Sequence, residues 1–248
     1  LGTRRGGMTA YSPELGFQRS IHSIENSPFR TKFESDIEGM RGNICIGCIS
    51  DSDPQPILVR SKLGLYAVCT VGIIKNSAAL CDEILNSCSE SFEVMSSGKV
   101  NSSSLIGALI AQKGSIVEGI RYAQEKIEGS MSLMLMTSDG IIAARDKLGR
   151  LPIIIGKRSD GFCLSLESFA FQKLGYETYR ELLPGEIVKL TSDSCEVLYG
   201  GGSDMKICSF LWTYYGYPNS VYERVTVETM RTRNGEIMAE HDINNGCL

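Results

Sequence analysis

The sequence predicts an α+β fold in which two packed β-sheets are flanked by helices. Short β-rich runs bounded by turn residues recur from Gly42 onward, and segments with helical periodicity interrupt them. The run that begins at Leu151 is too continuously apolar to have one solvent-exposed face, so we expect both faces of the sheets to be covered. The alternation of strands and helices is too irregular for a doubly wound parallel sheet.

Seven runs have the composition of strands. They are separated by turn signals such as Asp139-Gly140 and Pro184-Gly185, which favour a reversal of the chain. Residues 1–40 contain only short apolar groups between glycines and prolines, so we expect loops and edge elements there. The predicted strands cover residues 44–50, 66–74, 132–137, 140–146, 151–158, 161–168 and 185–190.

Two stretches between the second and third strands have helical periodicity. Residues 76–88 open with Asn76 or Ser77 as a candidate N-cap and place apolar side chains on one stripe. Residues 102–112 and 116–127 continue the pattern as amphipathic helices. A more polar helix is predicted for residues 226–240.

The amino-acid composition of the chain changes after Tyr199. Residues 200–206 read GGGSDMK, which predicts a flexible connector, and residues 207–218 read ICSFLWTYYGYP. The density of aromatic side chains predicts a buried strand or turn at a domain junction. We therefore expect one domain over residues 1–199 and a connector over residues 200–243.

Composition and charge exclude several classes of protein. The chain of 248 residues is 42% hydrophobic and 22% charged, with a net charge of -4, which is typical of a globular domain without a positive field for nucleic acid or anionic membranes. The apolar runs are too short to span a bilayer. The nine cysteines are scattered and odd in number, which predicts reduced thiols and a cytoplasmic location.

The residues alone leave the function open. Cys45 and Cys48 form a C-x-x-C, but in a strand, three positions apart, they face opposite ways, which argues against a redox pair. His22 and His241 are the two histidines of the chain, too few for a histidine-rich metal site. A thiol-only zinc site would need paired C-x-x-C hairpins, and the sequence has none.

Three charged residues in or beside strands need partners. Arg145 and Asp146 follow a predicted strand and could form a binding corner or a structural salt bridge at a hairpin. Glu167 lies in an apolar stretch, and a buried carboxylate requires a partner, for which Arg145 and Lys157 are candidates.

Four strings, taken in order and spacing, resemble the amidophosphoribosyltransferases, also called glutamine phosphoribosylpyrophosphate amidotransferases. The last string is the most specific, because related class II amidotransferases share the first domain without this aromatic connector. Residues 4–11, RRGGMTAY, also resemble an early segment of the family. The four strings are RDKLGRLPIIIGKR (145–158), SLESFAF (165–171), LGYETYRELLPGEIVKL (174–190) and CSFLWTYYGYPNSVYERVTVETMR (208–231).

The resemblance implies a four-layer αββα sandwich of the N-terminal-nucleophile type. Family enzymes take ammonia from glutamine and deliver it to phosphoribosylpyrophosphate, which makes phosphoribosylamine for purine synthesis. Residues 244–248 would then be the truncated start of a phosphoribosyltransferase domain. That domain is the implied partner, and a homo-oligomer is the implied assembly.

The family nucleophile is an N-terminal cysteine that would lie upstream of Leu1, so the resemblance places no catalytic residue in this chain. It implies no cofactor here either. In the full-length family protein it allows an iron-sulfur cluster, with Cys208 at a ligand position, or Mg. A buried thiol is the structural alternative for Cys208, and any small-molecule ligand is left open.

The expected glutamine pocket departs from the family pattern. Ser50, followed by Asp51, stands where the family has the arginine that pairs with the α-carboxylate of glutamine. Val71 replaces the asparagine of the oxyanion hole, although Gly72 is kept. Ser102 replaces the aspartate that helps to hold the substrate amine. Arg145, Asp146 and Glu167 remain as framework residues.

These changes lead to the hypothesis that the fold persists while glutamine hydrolysis is lost. One alternative is a misalignment that hides intact residues elsewhere in the chain. Another is a working amidophosphoribosyltransferase with an atypical glutaminase half that runs on free ammonia. A third is a non-catalytic module that regulates, docks or oligomerises a phosphoribosyltransferase.

Overall fold

The computed structural model describes residues 4–51, 53–87, 92 and 98–246, and within them the chain forms fourteen strands and six α-helices. The strands are β1 Arg5–Ser12, β2 Gly16–Ser23, β3 Ile44–Ser50, β4 Ile57–Ser61, β5 Gly64–Ile74, β6 Gly129–Thr137, β7 Gly140–Ala144, β8 Ile154–Arg158, β9 Gly161–Ser165, β10 Glu177–Glu181, β11 Ile187–Leu190, β12 Cys195–Tyr199, β13 Val221–Tyr222 and β14 Val225–Thr226. The helices are α1 Phe29–Gly39, α2 Ser77–Ser87, α3 Ser102–Ala111, α4 Ile116–Lys126, α5 Phe169–Leu174 and α6 Val227–Asn244.

The predicted four-layer αββα sandwich is confirmed. A six-stranded antiparallel sheet in the order β12-β11-β7-β6-β5-β4 forms one inner layer. Two three-stranded sheets, β2-β1-β3 and β10-β8-β9, pack on one of its faces. Helices α2, α3 and α4 cover its other face, and α1, α5 and α6 lie on the outer side of the smaller sheets.

The largest core lies between the six-stranded sheet and its helices. Apolar residues at helical spacing, such as Leu105, Ile106, Leu109 and Ile110, are at most 1% exposed because α3 lies directly on the sheet. Removing such side chains from water stabilises a fold by about 1.5–3 kcal/mol each. The periodicity that predicts these helices is therefore the pattern that buries them.

The helix starts follow the capping residues. The Asn101 side chain accepts hydrogen bonds from the backbone amides of Ser103 and Ser104 at the start of α3. The Ser115 hydroxyl does the same for α4, and the Thr226 hydroxyl for α6. These contacts satisfy amides that the first helical turn leaves without a partner.

Residues 4–40 differ in part from the prediction of loops and edge elements. They form the β1–β2 hairpin and α1; β2 is an edge strand, as expected, whereas β1 is the central strand of its sheet. The hairpin forms around Gly16, whose φ is 67°, and α1 packs on β2 through Phe33, which is fully buried. The helix predicted over residues 76–88 corresponds to α2, and its predicted last residue, Cys88, lies outside the described residues.

The aromatic connector agrees with the prediction in part. Where a buried strand or turn is expected, residues Leu211–Tyr215 form a π-helical turn against α6. Leu211 and Trp212 are buried, whereas Phe210 and Tyr214 are 65% and 81% exposed. The glycine-rich stretch before it lies against the domain, since the Gly202 amide donates to the Pro184 carbonyl at 2.8 Å.

Candidate functional site

Two of the predicted pocket residues, Ser50 and Ser102, are brought together by Asp53. The Asp53 backbone amide donates to the Ser50 hydroxyl at 3.1 Å, and the Ser102 amide donates to Oδ2 of Asp53 at 2.9 Å. Asp53 is 6% exposed, and its carboxylate lies at the N-terminus of α3, where negative charge is favoured. Asp53 thus joins the end of β3, through its backbone amide, to the start of α3, through its carboxylate.

The Gln55 side chain occupies a free edge of the six-stranded sheet. Pairing of β4 with β5 ends at Val68, and the Gln55 carboxamide then bonds to both backbone groups of Thr70. The Thr70 amide donates to Oε1 at 2.7 Å, and Nε2 donates to the Thr70 carbonyl at 3.0 Å. The Ser103 hydroxyl also donates to Oε1, at 2.8 Å. A side chain of this protein therefore uses the polar groups that a ligand at this edge would need.

A second buried carboxamide fixes the loop that carries these residues. Nδ2 of Asn101 donates to the Pro54 carbonyl at 3.0 Å, while its oxygen caps α3. A guanidinium reaches the same loop, because Nη1 of Arg19 donates to the Pro56 carbonyl at 3.4 Å. The loop between β3 and β4 is thus held from three sides.

Val71 and Gly72 lie on β5 next to this network. Val71 is half-buried and presents no hydrogen-bond donor from its side chain. Gly72 has a φ of 149°, and a Cβ at this position would lie 2.1 Å from the Ser130 carbonyl oxygen. The glycine is required by the close approach of β6, whatever the chemistry of the pocket.

Asp51 connects the site to the aromatic connector. Asp51 is exposed at the end of β3. The pKa of Tyr215 is raised, chiefly by burial and then by the nearby carboxylates of Glu167 and Asp51. The π-helical turn therefore brings the Tyr215 phenol into the electrostatic range of Asp51.

Arg145 and Asp146 are both engaged in contacts within the protein. Arg145 is fully buried, and its Nη2 lies 2.9 Å from Oε1 of Glu223 in the connector hairpin. The Asp146 carboxylate accepts hydrogen bonds from the backbone amides of Leu148 and Arg150. It shapes the turn after β7.

The prediction that Glu167 pairs with Arg145 or Lys157 is wrong. Its carboxylate accepts hydrogen bonds from the Ser220 hydroxyl, at 2.7 Å, and from the Tyr222 hydroxyl. Both donors belong to the connector and lie 53 and 55 residues from Glu167 in the chain, and no sequence pattern marks them as its partners. Neutral hydroxyls thus satisfy the carboxylate.

The thiols have the properties of structural cysteines. Burial raises the pKa of Cys45, and it raises the pKa of Cys48 to about 11 with a further contribution from Asp53, so neither is a ready thiolate. Cys208 packs beside Leu211 and Trp212. The described residues contain no group of three or more His, Cys, Asp or Glu side chains placed to hold a metal.

The hydrogen-bonded network around Asp53 and Gln55 cannot, for the most part, be predicted from the sequence. Its members lie in a turn-like stretch, on a strand and at a helix start that are far apart in the chain, so their convergence is not visible in the chain order. One signal is available, because Asn101 precedes an apolar periodic run and is a favourable N-cap. These members are Asp53, Gln55, Thr70, Asn101 and Ser103.

One negative finding concerns the helices. Across the described part of the chain, no helix is long and apolar enough to cross a membrane.

The profile of the glutamine amidotransferase domain family matches residues 41–173, which is more than half of the chain. The chain belongs to this family. The match includes Ser50, Val71 and Ser102, so the expected glutamine pocket lies within the part of the chain that the family profile covers.

Within that class, the chain is similar to amidophosphoribosyltransferases. It is 27% identical over 215 residues to the Archaeoglobus fulgidus amidophosphoribosyltransferase, which covers 83% of this chain and 47% of that protein. The human amidophosphoribosyltransferase is 27% identical over 212 residues, which covers 75% of this chain and 40% of that protein. The chain thus spans about half of the length of these relatives.

Solved structures agree on the fold. The glutamine phosphoribosylpyrophosphate amidotransferase from B. subtilis, complexed with ADP and GMP, superposes with a TM-score of 0.84 at 22% identity, and covers 96% of this chain and 52% of that chain. A structure described as the allosteric regulatory enzyme of purine biosynthesis gives a TM-score of 0.85 at 21% identity, over 97% of this chain and 52% of that chain.

Proposed function

We propose that this chain is the glutamine amidotransferase-like domain of an amidophosphoribosyltransferase-type protein, and that its ability to hydrolyse glutamine is lost. The family membership and the similarity to amidophosphoribosyltransferases support the first part. The family reaction joins glutamine-derived ammonia to phosphoribosylpyrophosphate in the first step of purine synthesis. The second part is supported by the contacts of the altered pocket.

The observation that carries the proposal is Asp53, whose backbone amide donates to the Ser50 hydroxyl and whose buried carboxylate accepts from the Ser102 amide. The α-carboxylate of glutamine needs a cation, and a bidentate arginine pair is the strongest such contact. Here the substrate carboxylate would meet the hydroxyl of Ser50 and the negative charges of Asp51 and Asp53. Like charges repel, most strongly where water is excluded, as at the buried Asp53, so the pocket would disfavour the anionic end of the substrate.

The oxyanion hole supports the same conclusion. The Val71 side chain cannot donate a hydrogen bond, and the loss of one such donor costs about 10²–10³-fold in rate. Gln55 and Asn101 bring two carboxamides to the region, but each oxygen already accepts two hydrogen bonds from the protein. Their amino groups hold the carbonyls of Thr70 and Pro54. These carboxamides serve the loop and α3.

The test is glutamine turnover by the full-length polypeptide that contains this chain, with the amidophosphoribosyltransferase of B. subtilis as the positive control. We expect no release of glutamate and no covalent labelling by a glutamine-analogue electrophile. Ammonia-dependent formation of phosphoribosylamine by the same sample would identify an active phosphoribosyltransferase half. Release of glutamate above the no-protein blank would contradict the loss of glutaminase.

A second candidate function is a non-catalytic module that regulates, docks or oligomerises a phosphoribosyltransferase. The exposed aromatic face of the connector favours it. Phe210, Tyr214 and Tyr217 are 65%, 81% and 46% exposed, and Met238 on α6 is 66% exposed. Large apolar side chains in one region of a surface are typical of a contact site. We propose that the second half of the protein, or a second copy, covers this face.

The segment of the natural polypeptide beyond residue 248 distinguishes the two candidates. Residues 244–248 are proposed as the start of a phosphoribosyltransferase domain, and the last of them that the structure describes is Gly246. An acidic phosphoribosylpyrophosphate loop further along the natural polypeptide would favour the enzyme. A polypeptide without that loop, whose oligomer dissociates when Phe210 and Tyr214 are both replaced by serine, would favour the module.

A cytoplasmic location is part of the proposal. Its support is the state of the described cysteines, which form no disulfide and are spread over several elements, as expected in a reducing compartment. These free cysteines are Cys45, Cys48, Cys69, Cys81, Cys163, Cys195 and Cys208.

A further inference from the structure

The connector hairpin Val221–Thr226 has a strained tip. Glu223 and Arg224 have φ values of 47° and 66°, the left-handed conformation that a two-residue hairpin turn of this kind requires. Asparagine and glycine suit this conformation, whereas Glu and Arg adopt it at a cost. Contacts to the rest of the protein must therefore hold the tip in place.

Two groups of the domain provide those contacts. Both carboxylate oxygens of Glu181, at the end of β10, accept from the Glu223 backbone amide, at 3.1 and 3.2 Å. The Glu223 carboxylate lies 2.9 Å from the guanidinium of Arg145, which is fully buried. The same guanidinium donates to three backbone carbonyls, so it is fixed in the domain.

The cluster holds two carboxylates against one cation. The charged groups that act on Glu181 are Glu223, which belongs to the hairpin, and Arg145, which follows the end of β7. The other charged pair beside it is Arg180 with Glu186, which form two hydrogen bonds of 3.0 and 2.8 Å with each other and are thereby neutralised. When both Glu181 and Glu223 are ionised, the cluster carries one uncompensated negative charge in a half-buried place.

We propose that the protonation state of Glu181 controls how firmly the Val221–Thr226 hairpin, and with it the start of α6, is held on the domain. When Glu181 is protonated, its hydroxyl can donate to the Glu223 carboxylate and its carbonyl oxygen still accepts from the Glu223 amide. When Glu181 loses the proton, the two carboxylates repel each other across the strained turn. This inference is independent of the proposed loss of glutamine hydrolysis.

The electrostatics place this change near neutral pH. Burial is the largest cause that raises the pKa of Glu181 to about 7, and repulsion by Glu223 adds to it. The Glu223 amide and the Arg145 guanidinium act in the opposite direction. Since the pKa is raised above the ordinary value near 4.5, the docked hairpin binds the proton more tightly than the released one. Docking therefore weakens as the pH rises from about 4.5 to about 7.

The hairpin leads directly to α6. The Val227 amide donates to the Ser220 carbonyl at 2.9 Å, and Nε of Arg231 on α6 donates to the Trp212 carbonyl at 2.9 Å. The Trp212 indole in turn donates to the Val225 carbonyl at 3.1 Å. A looser hairpin thus changes the surroundings of Trp212, the single tryptophan of the 248 residues.

The test is hydrogen exchange of residues 220–228 in the full chain between pH 5.5 and 8.5, corrected for the intrinsic exchange rate, with Trp212 emission as a second readout. We expect protection of the wild-type hairpin to fall by at most roughly tenfold per pH unit up to about pH 7. Glu181→Gln keeps the acceptor and the donor without the charge, so its protection stays high at every pH. Glu177→Gln, at the exposed end of β10, is the matched control and retains the wild-type response.

A second variant keeps the test decisive if Glu181→Gln does not fold. Glu223→Gln removes the carboxylate that repels Glu181, while the Arg145 guanidinium still favours its ionised form. The fall in protection therefore moves to lower pH. Wild-type protection that is the same at pH 5.5 and 8.5 would overturn the proposal. So would a pH response that is unchanged in whichever of the two variants folds.

Discussion

The backbone amide of Ser102 donates to Oδ2 of Asp53 at 2.9 Å, which ties the first turn of α3 to the loop after β3. This contact joins two regions that are separated by 49 residues and that both belong to the expected glutamine pocket. The carboxylate stabilises the start of α3, where negative charge is favoured. Under the proposed function, the same negative charge would oppose the α-carboxylate of the family substrate.

The first prediction concerns this bond. Asp53→Ala should lower the free energy of unfolding by about 1–3 kcal/mol, because it leaves the Ser102 amide without its charged acceptor. Asp53→Asn should cost less, since its oxygen still accepts. Asp160→Ala, which removes a solvent-exposed ion pair with Arg158, is the control and should leave the stability close to that of the wild type. Urea denaturation measures all three, and equal effects of Asp53→Ala and Asp160→Ala would show that the Asp53 bond is dispensable.

The second prediction concerns Gln55. Gln55→Ala should destabilise the fold by about 2–4 kcal/mol, because the Thr70 amide and carbonyl and the Ser103 hydroxyl each lose a partner. Gln18→Ala, at a residue with two exposed hydrogen bonds to Arg41, is the matched control. The measurement is the urea midpoint of each variant. A Gln55→Ala protein as stable as Gln18→Ala would mean that the loop does not depend on the carboxamide.

The third prediction concerns the close approach at Gly72. Gly72→Ala should cost more than about 2 kcal/mol, because its Cβ would lie 2.1 Å from a backbone oxygen at a φ of 149°. Gly64→Ala is the control: its φ is 106°, but nothing lies within 4 Å of the added Cβ. The difference between their unfolding free energies isolates the clash from the conformational strain. Equal losses would contradict a steric role for Gly72.

The fourth prediction concerns acid stability at the β2–α1 contact. Hydrogen bonds from the Ser20 hydroxyl and from His22 lower the pKa of Asp36 below its ordinary value of 3.8. A lowered pKa means that the contribution of this group is present above about pH 4 and is lost as the pH falls through the folded value. The wild type should therefore be more stable than Asp36→Asn at pH 6, and the difference should shrink by pH 3. A difference that is constant from pH 6 to pH 3 would refute this assignment.

Much of the fold can be predicted because its elements are local patterns. The runs at 44–50 and 102–112 match β3 and α3 closely, since alternation and helical periodicity report directly on which face is buried. The strands β4, β10 and β12 are not predicted because they are short and carry mixed polar residues. Their place in the sheets is decided by neighbouring strands, which local sequence does not record.

The candidate site is predictable only in part. The family resemblance places Ser50 and Ser102 in one pocket, and the structure brings them together through Asp53. The partners of Glu167 and Arg145 come from the connector hairpin and the residue before it, 53 or more positions away, and depend on how the connector folds back. Such pairings are set by tertiary packing, so no spacing in the chain indicates them.

Calorimetric titration of the chain with L-glutamine is the sharpest probe of the altered pocket, because binding depends on the pocket alone and requires no nucleophile. We expect no saturable heat at any glutamine concentration at which the B. subtilis enzyme, titrated under the same conditions as the binding control, is saturated. Saturable binding of L-glutamine that is abolished by Ser102→Trp, a substitution that blocks the pocket, would contradict the proposed loss of glutamine recognition.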